Sequence, residues 1–309
     1  MLDLRTIVIG DLNVDIIVTG APQFPVLGHE IPCEDIRTVM GGSASIFACR
    51  LAQLGAEVDI FGKVGNDENG GIVLKTLRSS NVGIDKVKVL DAIRTGITLS
   101  LTYPKNKALI TFTGSIDALS ASDINPELFK GYGHLHVSSI YLQRKLLISL
   151  ADILAEAKRQ GLKTSLDTNA DPLNKYEYID DILEHVDVFL PNDREAEDIS
   201  RSITVKDALE KLSSKVPVVV IKCGENGAIG KYSGSIVQVD PIRINPVDTT
   251  GAGDSFDAGF IYYFLYKKED FETSIRFANG LGALSCLYIG GAEEKITETD
   301  VLNFVKDHS

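Results

Sequence analysis

Along nearly all of its 309 residues this chain alternates short β-rich apolar runs with amphipathic stretches of helical period. The β runs lie at 6–10, 58–62, 133–138, 163–167, 187–190 and 218–222. Apolar spacing predicts helices over 43–54, 70–80, 146–160, 194–200 and 205–212, then over 252–267, 271–287 and 297–306. Parallel strands need long crossovers, and a helix supplies one while covering the sheet. The alternation therefore predicts a mainly parallel sheet with helices on both faces. Two places break it. Residues 13–18 with 30–39, and 94–103 with 107–113, read as strand pairs without a helix between, and Tyr103-Pro104-Lys105-Asn106 reads as a hairpin turn. We expect a single domain over 1–309, in which segments of approximately 12–40 and 93–114 form a small β lid above the carboxyl ends of the strands.

Composition narrows the partners. The 31 Lys and Arg against 43 Asp and Glu leave a net charge of −12, which argues against nucleic acid or an anionic membrane. An anionic substrate on so acidic a chain needs backbone dipoles or Mg²⁺ to hold it. No apolar stretch approaches the ~20 residues of a membrane span, and the first residues enter a β run at once, so the expected location is the cytoplasm. Cys33, Cys49, Cys223 and Cys286 are scattered without ligand spacing and read as thiols of a reducing compartment. His134 and His136 would share one strand face with no acid or Cys at ligand spacing, which favours packing.

The chemistry concentrates in Asp248-Thr249-Thr250-Gly251-Ala252-Gly253-Asp254. Small residues leave the backbone bare just before a predicted helix, so free N–H groups and the helix dipole both favour an anion there. A carboxylate, Asp254, stands beside it. That is a layout for phosphoryl transfer, although an isolated match of this kind also fits a tight turn with a first-turn Asp. Two commoner phosphate loops are excluded. Five residues separate Gly224 from Gly230 where a Walker loop has four, and Tyr232 follows Lys231 where a hydroxyl is needed. Phe256 stands where a dinucleotide loop needs its third glycine.

Other segments join this loop. Gly41-Gly42, the helix to Leu54-Gly55, then Gly62-Lys63-Val64-Gly65-Asn66-Asp67 and Gly70 are similar to the N-terminal signature of the ribokinase-like (PfkB) carbohydrate kinases. The Asp248–Asp254 loop resembles their C-terminal signature, Pro191-Asn192-Asp193-Arg194-Glu195 their Asn-x-x-Glu element, and Gly10-Asp11-Leu12-Asn13-Val14-Asp15 their substrate-binding strand. The resemblance implies a ribokinase-like three-layer α/β fold with a β lid. It implies transfer of the γ-phosphate of ATP, with Mg²⁺, to a primary hydroxyl of a small sugar. Asp254 would then be the general base, with the N–H groups of Gly251, Ala252 and Gly253 as an anion hole. Asn192 and Glu195 would organise Mg²⁺ and its waters. Lys222, Gly224 and Gly227 would form a nucleotide-side turn, with Asn279 near the adenine or ribose. Asp248 and the carbonyl of Thr250 match positions that hold a monovalent cation in some members, which implies K⁺. Asn13, Asp15, Gly41, Gly42 and Asn169 would face the sugar.

Each assignment has a plainer alternative. Asn192 could be a helix-start residue beside a surface Glu195, Asp248 a turn cap, Asn279 a bridging amide, and Asn13 with Asp15 a solvent-facing edge. One position departs from the family: Ile46 stands where an Asn is usual, so one substrate hydroxyl loses a partner. Asp167-Thr168-Asn169 is similar to the Asp-x-Asn segment of the fructokinase and ketodeoxygluconate-kinase branch. A nucleoside kinase of the same family and a non-catalytic sugar-binding regulator remain competing readings. A homodimer through exposed lid strands stays open.

Overall fold

In the computed structural model, which describes residues 4–103 and 107–308, the central sheet has eight strands. Six run parallel: β1 (Arg5–Ile9), β4 (Glu57–Phe61), β9 (His134–Ser138), β10 (Lys163–Asp167), β11 (Val188–Phe189) and β12 (Val218–Lys222). An antiparallel pair, β13 (Ala228–Tyr232) and β14 (Ser235–Val239), completes one edge. The order is β14-β13-β12-β11-β10-β9-β1-β4.

Side-chain alternation divides the interior between the two faces. In β1, Ile7 and Ile9 join one buried cluster while Val8 joins the other; in β12, Val219 and Ile221 part in the same way from Val218 and Val220. Helices Ser43–Gln53, Ala252–Ile261 and Phe271–Ser285 cover the Val8 face. Helices Leu150–Arg159, Ile179–Leu183, Asp193–Ser200 and Val205–Leu212 cover the Ile7 face. The result is three layers around a mainly parallel sheet.

Departures from the expected elements have local causes. The β13–β14 pair escaped sequence reading because Gly230, Lys231, Ser235 and Gln238 interrupt any apolar run. The helix expected over 146–160 is divided into Arg144–Leu147 and Leu150–Arg159. The one expected over 252–267 is α-helical to Ile261 and then π-helical over Tyr262–Lys267. Two further strands, β5 (Lys63–Gly65) and β6 (Lys88–Leu90), pair separately.

A second sheet has the order β3-β2-β7-β8, from β2 (Asn13–Thr19), β3 (Asp35–Gly41), β7 (Gly96–Thr102) and β8 (Lys107–Phe112). It consists of two antiparallel hairpins joined by the parallel β2–β7 contact. Residues 104–106 of the expected Tyr103–Asn106 turn lie outside the described residues. Register places Asp15 opposite Val39 and Thr98, so β2 shows Asn13 and Asp15 on one face and Val14, Ile16 and Val18 on the other.

Strand order sets the site. From β1 the chain reaches β4 on one side and later returns to β9 on the other, so the order reverses beside β1. Crevices at such reversals, outside the carboxyl ends of the strands, are where open α/β sheets bind ligands. Among the described residues no helix is long and apolar enough to cross a membrane.

Candidate active site

Charged and amide side chains leave four strands at that edge. Asp11 follows β1, Asp167 ends β10, Asn192 follows β11 and Lys222 ends β12. Asp11 closes the start of helix Ser43–Gln53, which Gly42 cannot cap for want of a side chain: Oδ2 accepts from Ser43 N–H at 3.1 Å and Oδ1 from Ala44 N–H at 3.0 Å.

Helix Ala252–Ile261 brings the glycine loop to the same place. Its N-cap, Gly251, has φ 72°, and a Cβ there would lie 2.7 Å from Cα of Gly291. Only glycine fits without strain. Ala252 N–H donates to the Thr249 carbonyl at 3.3 Å. The N–H groups of Gly251 and Gly253 have no backbone partner among the described residues. Of the three amides expected to form an anion hole, two are therefore free of backbone bonds and the third closes the turn.

Asp254 sits in the first helical turn, 9% exposed, with the Ser43 hydroxyl hydrogen-bonded to it. Burial pushes its carboxyl up to about 7; Asp167 and Asp11 add to the rise, while Lys222 and Ser43 oppose it. A carboxyl poised there suits proton abstraction near neutrality.

Asp248 fastens the loop from below. Its Oδ1 accepts from Thr250 N–H at 2.9 Å and from Thr250 Oγ1 at 2.8 Å, and its Oδ2 from Gly290 N–H at 2.9 Å. It caps the turn.

Carboxylate oxygens of Asp167, Asp254 and Asp257 lie within 4.8 Å of one another. The Lys222 ammonium enters this group, 2.9 Å from Oδ2 of Asp257 and 3.3 Å from Oδ2 of Asp167. Burial works against its charge, but Asp167, Asp257 and Glu195 together outweigh that and hold its pKa above the ordinary lysine value. Lys222, which the resemblance implied for a nucleotide-side turn, has its charged end among the acids.

Asn192 and Glu195 form a reciprocal cap on helix Asp193–Ser200. Asn192 Oδ1 accepts from Glu195 N–H at 2.9 Å and Glu195 Oε2 from Asn192 N–H at 3.1 Å. Glu195 is nevertheless buried, not a surface group, and burial with Asp167 nearby holds its carboxyl above the usual range.

On the second sheet Asn13 Nδ2 donates to Asp15 Oδ1 at 3.0 Å, and both residues are buried, which excludes a solvent-facing edge. Burial pushes Asp15 up to about 7, with Asp11 adding and Lys107 and Asn13 opposing. Gly41 and Gly42 owe their bareness first to the protein itself. A Cβ on Gly41 would collide with the Asp15 carboxylate, and one on Gly42 (φ 89°) would meet the Asp11 carbonyl at 2.6 Å.

Four assigned residues are tied up in local structure. Asn169, in the left-handed region at φ 59°, accepts from Tyr141 N–H at 3.2 Å. Gly224 and Gly227 shape the tight connection from β12 to β13, closed by Cys223 N–H on the Gly227 carbonyl at 2.8 Å. Asn279 donates to the Asp240 carbonyl at 3.3 Å, bridging its helix to the segment after β14.

Comparison with known proteins decides the family. The model for the pfkB family of carbohydrate kinases matches residues 4–298. The chain belongs to the pfkB family. Among its relatives, an ATP-dependent ribose-1-phosphate kinase of Halopiger xanaduensis is 29% identical over 91% of this chain and 92% of that protein. The ribokinase of Bacillus subtilis is 25% identical over 95% and 97%. A crystal structure of an E. coli protein named ribokinase II, in complex with ATP and Mg²⁺, shares the fold with a TM-score of 0.88 and 23% identity, covering 99% of this chain and all of that one. This pfkB protein is thus a carbohydrate kinase, a phosphotransferase of ribokinase-like fold.

Sequence reading gave no role to Asp11, Asp167 or Asp257. Asp11 and Asp167 had a signal, each being an acid at the carboxyl end of a β run. Asp257 had only a weak one, a charged residue amid an otherwise apolar stretch of helix.

Proposed function

We propose that this pfkB kinase transfers the γ-phosphate of ATP to a primary hydroxyl of a small sugar or sugar derivative, with Asp254 as general base. The observation that carries it is Asp254 itself: buried, shifted to about 7, and in the same turn as the unpaired amides of Gly251 and Gly253. Those amides would receive charge on the transferring group without reorganising. The acid-rich donor set suits a hard, oxygen-seeking cation such as Mg²⁺. Glu195, buried and only partly engaged by its cap, would hold it with Asn192 through water, and the ion would neutralise phosphate charge. The ATP and Mg²⁺ of the E. coli neighbour support that reading.

Ile46 narrows the acceptor. It is buried on the first turn of helix Ser43–Gln53, and its methyl groups would lie 2.9 and 3.1 Å from a Cβ on Gly251. An apolar wall there offers no partner to a hydroxyl, so the acceptor lacks one, or carries a substituent, at that position. An ADP-release screen over pentoses, hexoses, their phosphates, ketodeoxy acids, inositols and nucleosides tests the proposal. A sugar-class acceptor supports it, turnover on nucleosides alone redirects it, and no turnover on any of them overturns it.

A K⁺ ion at Asp248 and the Thr250 carbonyl would reinforce a loop that Asp248 already fastens. Equal turnover in K⁺ and in tetramethylammonium removes the ion from the proposal. The outer lid face, with Ile36 and Ile110 exposed, suits a homodimer through the lid sheets, which sedimentation analysis tests.

A further inference from the structure

Asp257 poses a question the fold does not answer. It lies one helical turn beyond Asp254, fully buried, in a helix whose neighbouring residues Phe256, Ala258 and Phe260 are packed in the core. An apolar residue would pack there without the cost of desolvating a charge. Its two carboxylate oxygens instead grip the Lys222 ammonium at 3.0 and 2.9 Å. The lysine stem runs beneath the glycine loop: a Cβ on Gly253 would lie 3.5 Å from Nζ and 3.9 Å from Cε. One carboxylate oxygen of Asp254 lies within 4.8 Å of one from each of Asp167 and Asp257, yet Lys222 pairs with Asp167 and Asp257 and not with Asp254.

We propose that Asp257 is a positioning residue for phosphoryl transfer: it anchors the Lys222 ammonium against Gly253 and holds it off the Asp254 carboxylate. Two effects follow from that geometry. A fixed positive charge lies under the unpaired amides, adding to the field that receives the transferring group. The base stays free of an ion pair that would lower its affinity for the substrate proton. Without the anchor, Lys222 turns to the nearest remaining acids, Asp254 among them, and quenches the base. Asp167 alone, at 3.3 Å, is the weaker hold.

The inference rests on Asp254 acting as base, and the experiment separates the two. Steady-state kinetics are measured on D257N, D257E, K222M, the K222M/D257N double variant and D254N, with melting temperatures recorded for all. D257N, nearly isosteric, is expected to lower kcat about 10-fold or more while KM for the acceptor stays within about two-fold. D257E, which retains the charge, recovers most of that loss. The double variant is no slower than K222M alone, because Asp257 acts only through Lys222. Losses that multiply in the double variant, or a D257N whose kcat is unchanged, overturn the proposal. So does a D257N that loses kcat only in proportion to lost folded protein, with no rescue by D257E. If D254N keeps wild-type turnover, the base assignment falls whatever the cycle gives; if D254N is inactive and the cycle is additive, only the role of Asp257 falls.

Discussion

As the proposed base, Asp254 has two demands to meet at once: ionised to take a proton and basic enough to want one. Burial reconciles them by raising its carboxyl to about 7. Because the ionised form works, kcat/KM should climb as pH rises through about 7 and then level off. Replacement by Asn should keep the fold, abolish that limb and cut turnover on the order of 10²–10⁴-fold, the usual worth of one acid–base group. A pH–rate profile on both proteins reads this directly. Gly251 is the other residue whose backbone the loop constrains. Alanine at φ 72° would press on Gly291, so G251A should lose about 1–3 kcal/mol in denaturant titration, and turnover with it.

At the scale of elements, helix starts are the working parts. Helix Asp193–Ser200 begins with a reciprocal cap whose members are also the proposed Mg²⁺ organisers. Structural and functional roles can therefore be divided by substitution. N192A removes the cap's side-chain acceptor and should cost about 1 kcal/mol of stability in urea unfolding. E195Q keeps an acceptor for the Asn192 N–H, so stability should change little, while the Mg²⁺ concentration for half-maximal turnover rises several-fold. A shift in stability without a shift in Mg²⁺ demand would return Glu195 to a purely capping role. Helix Ser43–Gln53 shows the same economy, since Asp11 caps it while also raising the pKa of Asp254 and Asp15.

For the whole molecule, two buried sets of titratable groups shape stability in opposite directions. His134 and His136 share the Ser165 hydroxyl inside the sheet, and His136 stacks on Phe47. Burial pushes both rings down, His134 to about 3. The folded state keeps them neutral while the unfolded chain protonates near 6.5, so stability held above that pH is lost as pH falls from about 6.5 toward 3. Calorimetry should show proton uptake on unfolding across that window. Asp254 and Asp15 act the other way. Their raised values mean stability that is full below about 3.8 and lost as pH rises through about 7. A cation bound among these acids would favour their ionised form, so Mg²⁺ with ATP should raise the melting temperature more at pH 8 than at pH 6. An equal rise at both would disconnect the acids from the ligand site.

Sequence by itself determined most of the elements and the place of the bare glycine loop before a helix. The alternation of β runs and amphipathic stretches marked out the six parallel strands, because the face an apolar residue takes depends only on local period. The bare loop before Asp254 was legible for the same reason, since backbone freedom and helix starts are local properties. Tertiary structure alone decided which charges meet. Lys222 and Asp257 are 35 residues apart, and Asp167 stands on a strand two places away in the sheet. Their convergence follows from strand order and from the packing of helix Ala252–Ile261 across the sheet, which no local pattern records. Strand order likewise turned Asp11 from a motif residue into a helix cap and a neighbour of the proposed base. Through-space electrostatics depends on distance in the fold and not along the chain, so the field at Asp254 had to wait for the fold.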